Sequence, residues 1–80
     1  MHKAFDLWAI KWRSKNRLDG ATEYFLFDAG RPLLFRTRRE ARETAAKDIA
    51  LIKKRPDLRR EPFGWKTPQV VRVRVTITET

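Results

Sequence analysis

The last dozen residues alternate between two kinds of side chain, and this alternation limits the possible folds more than any other feature of the chain. Aliphatic side chains occupy every second position, at Val71, Val73, Val75 and Ile77. Arginine or threonine lies between them, at Arg72, Arg74 and Thr76. Because successive side chains of a β-strand point to opposite faces of a sheet, the pattern predicts a strand with one aliphatic and one cationic face. We expect the aliphatic face to be buried.

Three earlier segments also have the composition of strands. Residues 5–13 are rich in aromatic and aliphatic side chains, and Trp8, Ile10 and Trp12 share the face that we expect to meet the core. Two more strands are predicted at residues 23–27 and 33–35. Turn residues at 14–20 and 28–32 separate the three strands.

One helix is predicted between the third and the last strand. Thr37 and Glu40 have the spacing of a capping box, in which side chains bond to the free backbone donors of a helix start. The helix is expected to continue to residue 53 or 54 and to end before Pro56. A single stripe is expected to pack on the sheet, formed by Ala41, Ala45, Ile49 and Ile52.

These elements predict an α+β fold, a small β-β-β-α-β domain with a mostly antiparallel sheet and one helix packed on one face. We expect a single domain over residues 1–80. Two tight turns and a crossover through the helix would place the last strand beside the first and parallel to it. The long connection at 56–68 contains Leu58, Phe63 and Trp65, which we expect to pin it against the domain.

The sequence does not favour catalysis. The chain has no cysteine, which excludes disulfides and thiolate chemistry and fits a reducing compartment. The single histidine, His2, lies next to the chain start, and no pattern pairs the single serine, Ser14, with a base. We therefore predict no catalytic, metal-binding or cofactor-binding residue. No apolar run approaches the ~20 residues that span a bilayer, so no membrane partner is expected.

Charge is the main functional signal in the sequence. Nineteen Lys and Arg residues against ten Asp and Glu residues give a net charge of +9. Twelve of the nineteen are arginine, which binds phosphate and carboxylate in a bidentate manner. This excess predicts attraction to nucleic acid or to an acidic protein surface.

Two groups of cations are candidate partner-binding residues. If the helix covers Trp8 and the valines of the last strand, the opposite face gathers Lys11, Arg13, Arg72 and Arg74. Like charges on neighbouring strands cost stability unless something neutralises them, which favours a binding role over a merely solvated surface. A second patch at the helix start, where positive charge opposes the helix dipole, consists of Arg38, Arg39 and Arg42.

The segment that leads into the helix carries a first resemblance. Residues 30–41, Gly-Arg-Pro-Leu-Leu-Phe-Arg-Thr-Arg-Arg-Glu-Ala, follow two strands and contain the third. This segment and this order of elements resemble the amino-terminal arm-binding domain of phage tyrosine integrases. The resemblance implies a three-stranded sheet laid in the DNA major groove, with Lys11 and Arg13 at the DNA.

Three segments together carry a second resemblance, namely residues 8–13, 35–42 and 55–59. They resemble short orphan proteins encoded by prophages, which include counter-defence factors such as anti-CRISPR proteins. The resemblance implies a phage accessory protein that acts in the cytoplasm of the host bacterial cell. Many anti-CRISPR proteins are acidic mimics of nucleic acid, whereas a chain of charge +9 would bind an acidic patch of a host complex or its nucleic acid.

The predicted function is therefore non-enzymatic inhibition of a host nucleic-acid-handling complex, with a CRISPR surveillance complex as the leading candidate. The partner would be a host protein or ribonucleoprotein complex with an acidic surface, or nucleic acid. The alternative is a stand-alone double-stranded DNA-binding module that uses the basic sheet face. A structural phage component is a third reading. An exposed edge at the third or fourth strand would also allow a weak homodimer.

Overall fold

A computed structural model of the chain describes residues 2–79, apart from the side chain of His2. This part of the chain forms, in order, β1 His2–Asn16, β2 Gly20–Phe25, β3 Phe27–Asp28, β4 Arg31–Pro32, β5 Leu34–Phe35, α1 Arg38–Lys54, α2 Pro56–Arg59 and β6 Gln69–Thr78. Every strand pair within it is antiparallel, and α1 packs on one face of the main sheet. The predicted α+β class is confirmed.

The long strand β1 is the centre of the sheet. One of its edges pairs with β2 over residues 11–16 and with β5 at residues 8–9. The other edge pairs with β6 over residues 2–11. The last strand therefore lies beside the first, as the sequence predicts, but it runs antiparallel to it, so the predicted parallel pairing is wrong.

A hairpin inserted into one edge strand explains the reversed direction. The backbone N–H of Leu26 donates to the carbonyl of Ile10 at 2.9 Å, and the N–H of Leu33 donates to the carbonyl of Leu26 at 2.9 Å. These bonds place β2 and β5 end to end along the same edge of β1, with the β3–β4 hairpin projecting between them. The segments predicted as two successive antiparallel strands thus run in one direction. The crossover through α1 then brings β6 back in that same direction.

The predicted start, end and packing stripe of the helix are confirmed. The Thr37 hydroxyl accepts a hydrogen bond from the backbone N–H of Glu40 at 3.2 Å, which satisfies one of the free donors at the helix start. The helix ends at Lys54, before Pro56. On the stripe that faces the sheet, Ala41, Ala45 and Ile52 are buried and Ile49 is half-buried.

The helix covers the face of the sheet that carries Trp8 and Ile10. The guanidinium carbon of Arg38, the first residue of α1, lies 5.7 Å from the centre of the Trp8 ring. Ile10 is 0% exposed. Residues that pair across an antiparallel ladder share a face, and Trp8 pairs with Arg72 while Asp6 pairs with Arg74. Both arginines therefore lie on the helix side of the sheet, so the prediction that they point away from the helix is wrong.

The register of β6 is the physical reason for this difference. Both sides of β1 carry apolar side chains, so alternation alone does not tell which side the helix covers. The helix covers the side with the larger groups, while Val71 pairs with Ala9 and Val73 with Leu7 on the outer face. A shift of one residue in this register would have exchanged the two sets.

The outer face consequently has an aliphatic centre, and the cations of β1 lie on either side of it, with Lys3 at one end and Lys11, Arg13 and Lys15 at the other. The inserted hairpin covers part of it and leaves a cavity of about 190 Å³ lined by Ala9, Phe25, Pro32, Leu34, Val73 and Val75. Phe5 and Ile77 remain 40% and 59% exposed on the same face, in the part of β1 and β6 that extends past the helix start.

The connection after α1 is held against β1, as predicted for Trp65. The backbone N–H of Lys15 donates to the carbonyl of Gly64 at 3.0 Å, and the N–H of Lys66 donates to the carbonyl of Arg13 at 3.0 Å. The Trp65 ring packs edge-on against Trp12, with ring centres 5.7 Å apart. The connection therefore continues the β6 edge of the sheet. Neither of the helices within residues 2–79 is long and apolar enough to cross a membrane.

Candidate functional site

Four arginines lie on the helix side of the sheet or on the adjoining part of α1, and we call them the arginine cluster: Arg38, Arg42, Arg72 and Arg74. Arg72 and Arg74 are alternate residues of β6, and Arg38 and Arg42 are one turn apart on α1. Trp8 connects the two pairs, because its ring contacts Arg38 and its backbone pairs with Arg72. The cluster combines two of the four residues of the first predicted patch with two of the three residues of the second.

A single carboxylate lies within the cluster. The Nη2 of Arg72 donates to Oδ2 of Asp6 at 3.1 Å, and the Nε of Arg74 donates to Oδ1 of the same residue at 3.3 Å. The arginine side chains remain 67% and 73% exposed, so each pair contributes only about 0–1 kcal/mol to stability. Because a guanidinium carries five N–H donors, both arginines keep donors for a partner.

Trp8 fixes the position of the Arg38 guanidinium. A cation over an indole face is attracted by the ring quadrupole, an interaction worth about 0.5–1 kcal/mol at an exposed site. The charge is therefore held at the boundary between α1 and β6 and not free to move with a long side chain. A held guanidinium loses less entropy when it binds an anion.

A groove runs from the cluster along the space between α1 and the start of β6. Its volume is about 720 Å³, and its lining contains Ala45, Ala46, Ile49, Ala50, Val70 and Val71. Three cations contribute to its walls, namely Arg38, Arg42 and Lys53, and its lining includes no acidic residue. The groove is thus apolar at its base and positive at its rim.

The other predicted partner-binding residues lie away from this cluster. Lys11 and Arg13 lie on the outer face, because they are an odd number of residues from Trp8 and Ile10 in the same strand and therefore point to the opposite side. Lys11 Nζ lies 3.0 Å from Glu23 Oε2, and the Nε of Arg13 is buried with no hydrogen-bond partner among the described residues. Arg39 is paired along the helix with Glu43 at 3.3 Å. The predicted patch of Lys11, Arg13, Arg72 and Arg74 on one face is therefore wrong.

Sequence reasoning missed Asp6 and Trp8 as parts of the site. Both residues lie on the same face of the sheet as Arg72 and Arg74. This can be recognised only when the register between β1 and β6 is known. An acid two positions before a tryptophan gives no signal on its own.

A second arginine–carboxylate pair lies at the junction of α1 and α2. Arg55 donates to both carboxylate oxygens of Asp57, with Nε to Oδ1 at 3.1 Å and Nη2 to Oδ2 at 2.8 Å. These hydrogen bonds favour the ionised carboxylate and lower the pKa of Asp57. The same bonds raise the pKa of Arg55.

We expect the pKa of Asp57 to rise towards the ordinary aspartate range when Arg55 is replaced by glutamine. Because the pKa of the folded state is depressed, the pair stabilises the fold above the pKa of the unfolded chain, and this contribution disappears as the pH falls through the folded value. A carboxyl-carbon NMR titration of the wild-type protein and of R55Q measures both values. Equal pKa values in the two proteins would contradict the assignment.

No group of three or more His, Asp or Glu residues within the described part of the chain is placed to hold a metal ion. Comparison with protein-family models, curated proteins and solved structures found no match to this chain.

Proposed function

We propose that the chain is a non-enzymatic phage accessory protein that binds and inhibits a host nucleic-acid-handling complex through the arginine cluster. A CRISPR surveillance complex is the first target to test. One observation supports the proposal above the others: Arg72 and Arg74 share the carboxylate of Asp6, and Arg38 lies against Trp8, which pairs with Arg72 on the same side of the sheet. The resemblance to prophage-encoded orphan proteins supports the choice of target.

The energetics of the cluster support a binding role. Arg38 is the first residue of α1, where the positive end of the helix dipole makes additional positive charge unfavourable. Arg72 and Arg74 are two positions apart on one face and repel each other, with only Asp6 between them. A polyanionic partner would relieve both costs. Arginine forks would then grip phosphate or carboxylate groups on that partner.

The alternative of a double-stranded DNA-binding module needs a different surface from the predicted one. The centre of the outer face is aliphatic; among its cations, Lys11 is paired with Glu23 and the Nε of Arg13 is buried, which leaves Lys3 and Lys15 exposed. We expect a duplex to bind on the helix side, where the arginine cluster offers up to four phosphate contacts. Counterion release would then give a log–log salt slope of about −3.6.

A pair of charge reversals tests the proposed function. We expect R72E/R74E to reduce inhibition of a purified surveillance complex by about tenfold or more, because two attractive contacts become repulsive. The matched control is R59E/R60E, which makes the same change of net charge on α2 and the residue after it. We expect the control to change inhibition by less than about threefold, as rim charges at a distance affect mainly the association rate.

The same proteins are titrated with a short DNA duplex at several salt concentrations. Weak duplex binding at every salt concentration, together with inhibition that depends on Arg72 and Arg74, supports the inhibitor. Tight duplex binding with the slope given above, and a complex that remains active, would overturn the proposal in favour of the DNA-binding module. Equal losses in the two charge-reversed proteins would move the docking surface away from the cluster.

A further inference from the structure

We propose that the free edge of β6 binds an extended segment of a partner protein as an added β-strand, and that this segment alternates carboxylate and aliphatic side chains. The inference rests on the proposed function in that the arginine cluster is part of the docking surface. It adds the chemistry and the backbone conformation of the partner segment. Three properties of β6 support it: the direction of its backbone groups, its two faces and its charge.

The backbone groups that β6 presents to its free edge can be assigned from the bonds of β1. Ile10 bonds through its carbonyl to Leu26 on the β2 side, whereas Arg13 and Lys15 bond to the connection on the β6 side. The backbone N–H and C=O groups of the odd-numbered residues of β1 therefore point towards β6. They bond to the backbone groups of their odd-numbered partners in β6. The groups left for the free edge belong to Val70, Arg72, Arg74 and Thr76.

No strand within residues 2–79 occupies this edge. β6 pairs only with β1 there, and no described backbone group bonds to the outward groups of residues 70, 72, 74 and 76. Four consecutive alternate residues with free donors and acceptors form a template for another strand. Adding a strand to such an edge is a common mode of peptide recognition.

The side chains of β6 specify what the added strand should carry. On the helix side, the groups opposite Arg72 and Arg74 should be carboxylates, because opposite charges on paired strands stabilise the pair. On the outer face, the groups beside Val71, Val73 and Val75 should be aliphatic, because they would extend an apolar surface that is only half-buried. A strand with a period of two that alternates acid and aliphatic residues satisfies both faces.

Charge argues against a second copy of this chain as the occupant. In a two-fold antiparallel pairing of two β6 strands centred at residues 72–74, arginines would lie against arginines on the helix side. Each copy also carries a net charge of +9. Cationic side chains on an edge strand oppose self-association. The same charges attract an acidic strand.

The binding probe is a synthetic ten-residue peptide that alternates glutamate and valine, with an acetylated amino end and an amidated carboxyl end. Its control is a peptide of the same composition with all glutamates first and all valines last. We expect the alternating peptide to bind at least about tenfold more tightly, a difference of about 1.4 kcal/mol. Amide hydrogen exchange should slow at Arg72, Arg74 and Thr76, whose N–H groups face the free edge, and change little at Val73 and Val75.

Two substitutions at Thr76 and the charge-reversed R72E/R74E protein separate backbone pairing from charge attraction. Thr76→Pro removes an outward N–H without a change of charge and leaves the ladder to β1 intact, since proline is tolerated where the N–H points away from the sheet. We expect T76P to lose about tenfold in peptide affinity and T76A to change less than about twofold. R72E/R74E should reverse the preference, so that a peptide alternating lysine and valine binds in place of the acidic one.

The outcomes distinguish strand addition from simple charge attraction, and they distinguish a failure of the added strand from a failure of the proposed function. Equal binding of the alternating and block peptides, or full affinity in a folded T76P protein, would overturn the added strand. If T76P does not fold, the reversal of preference in R72E/R74E and the exchange pattern decide. A peptide that fails to bind while R72E/R74E still abolishes inhibition leaves the proposed function standing without the strand. A peptide that binds while the surveillance complex is unaffected supports the strand and overturns the proposed target.

Discussion

Replacing Gly64 with alanine is expected to lower the free energy of unfolding by about 3 kcal/mol. Gly64 has a φ of +66°, a conformation that costs a residue with a Cβ about 1–2 kcal/mol. A Cβ at this position would also lie within 2.8 Å of the backbone carbonyl carbon of Lys15 and closer still to its oxygen. Relieving such a contact requires the connection to move away from β1, which adds about 1–3 kcal/mol.

Gly30 provides the matched control for Gly64. Its φ is +75°, similar to that of Gly64, but a Cβ there would have no atom within 4 Å. Gly30→Ala should therefore cost only the conformational part, about 1 kcal/mol. Urea unfolding monitored by tryptophan fluorescence compares the two variants. Equal losses would show that the approach of residue 64 to Lys15 does not matter for stability.

Replacing Ile10 with alanine is expected to destabilise the protein by about 3 kcal/mol or more. Ile10 is 0% exposed and lies beneath the helix at the centre of the sheet, so its truncation leaves a cavity between β1 and α1. Within residues 2–79 only two large side chains, Ile10 and Ile52, are completely buried. A domain of this size has a small total stability, so the loss should be a large fraction of it.

Ile77→Ala serves as the control for the buried isoleucine. Truncation of Ile77 to alanine removes the same atoms as truncation of Ile10. Ile77 lies on the outer face of β6, however, and is largely exposed. We expect a loss below about 1 kcal/mol. Denaturant unfolding curves of both variants give the comparison. A larger loss for Ile77 than for Ile10 would mean that the outer face, and not the space under the helix, is the main core.

Local signals in the sequence were sufficient for the helix. Thr37 caps its start, Pro56 lies just beyond its end, and the spacing of Ala41, Ala45 and Ile52 identifies the buried side. These properties depend on contacts between residues that are three or four positions apart. They can be read without knowledge of the rest of the fold.

The position of the arginines could not be read in this way. The alternation of β6 correctly separates Arg72 and Arg74 from the valines, but the side of the sheet on which each set lies depends on pairing with β1, more than sixty residues earlier. Both faces of β1 are apolar enough to be buried. Only the observed pairing of Trp8 with Arg72 decides between them.

The direction of β6 was predicted wrongly for a similar reason. The turn at residues 28–32 has the composition of a reversal between neighbouring strands of one sheet, and it is a reversal, but within an inserted hairpin. Whether a turn joins two strands of the main sheet or belongs to an inserted hairpin depends on which segments pair with β1. The bond between Leu26 and Ile10 settles this, and nothing local to the turn does.

The excursion at residues 27–33 interrupts an edge strand without disturbing its phase. Leu26 lies opposite Ile10 and Leu34 opposite Ala9, which are neighbours in β1, so the strand resumes at the next position with its alternation intact. A shortened chain that joins residue 26 directly to residue 34 would keep every remaining cross-strand partner. Because Pro32 of the hairpin lines the outer cavity, the hairpin itself should be kept, and a fluorescent label or an epitope is best carried at its tip, residues 29–30.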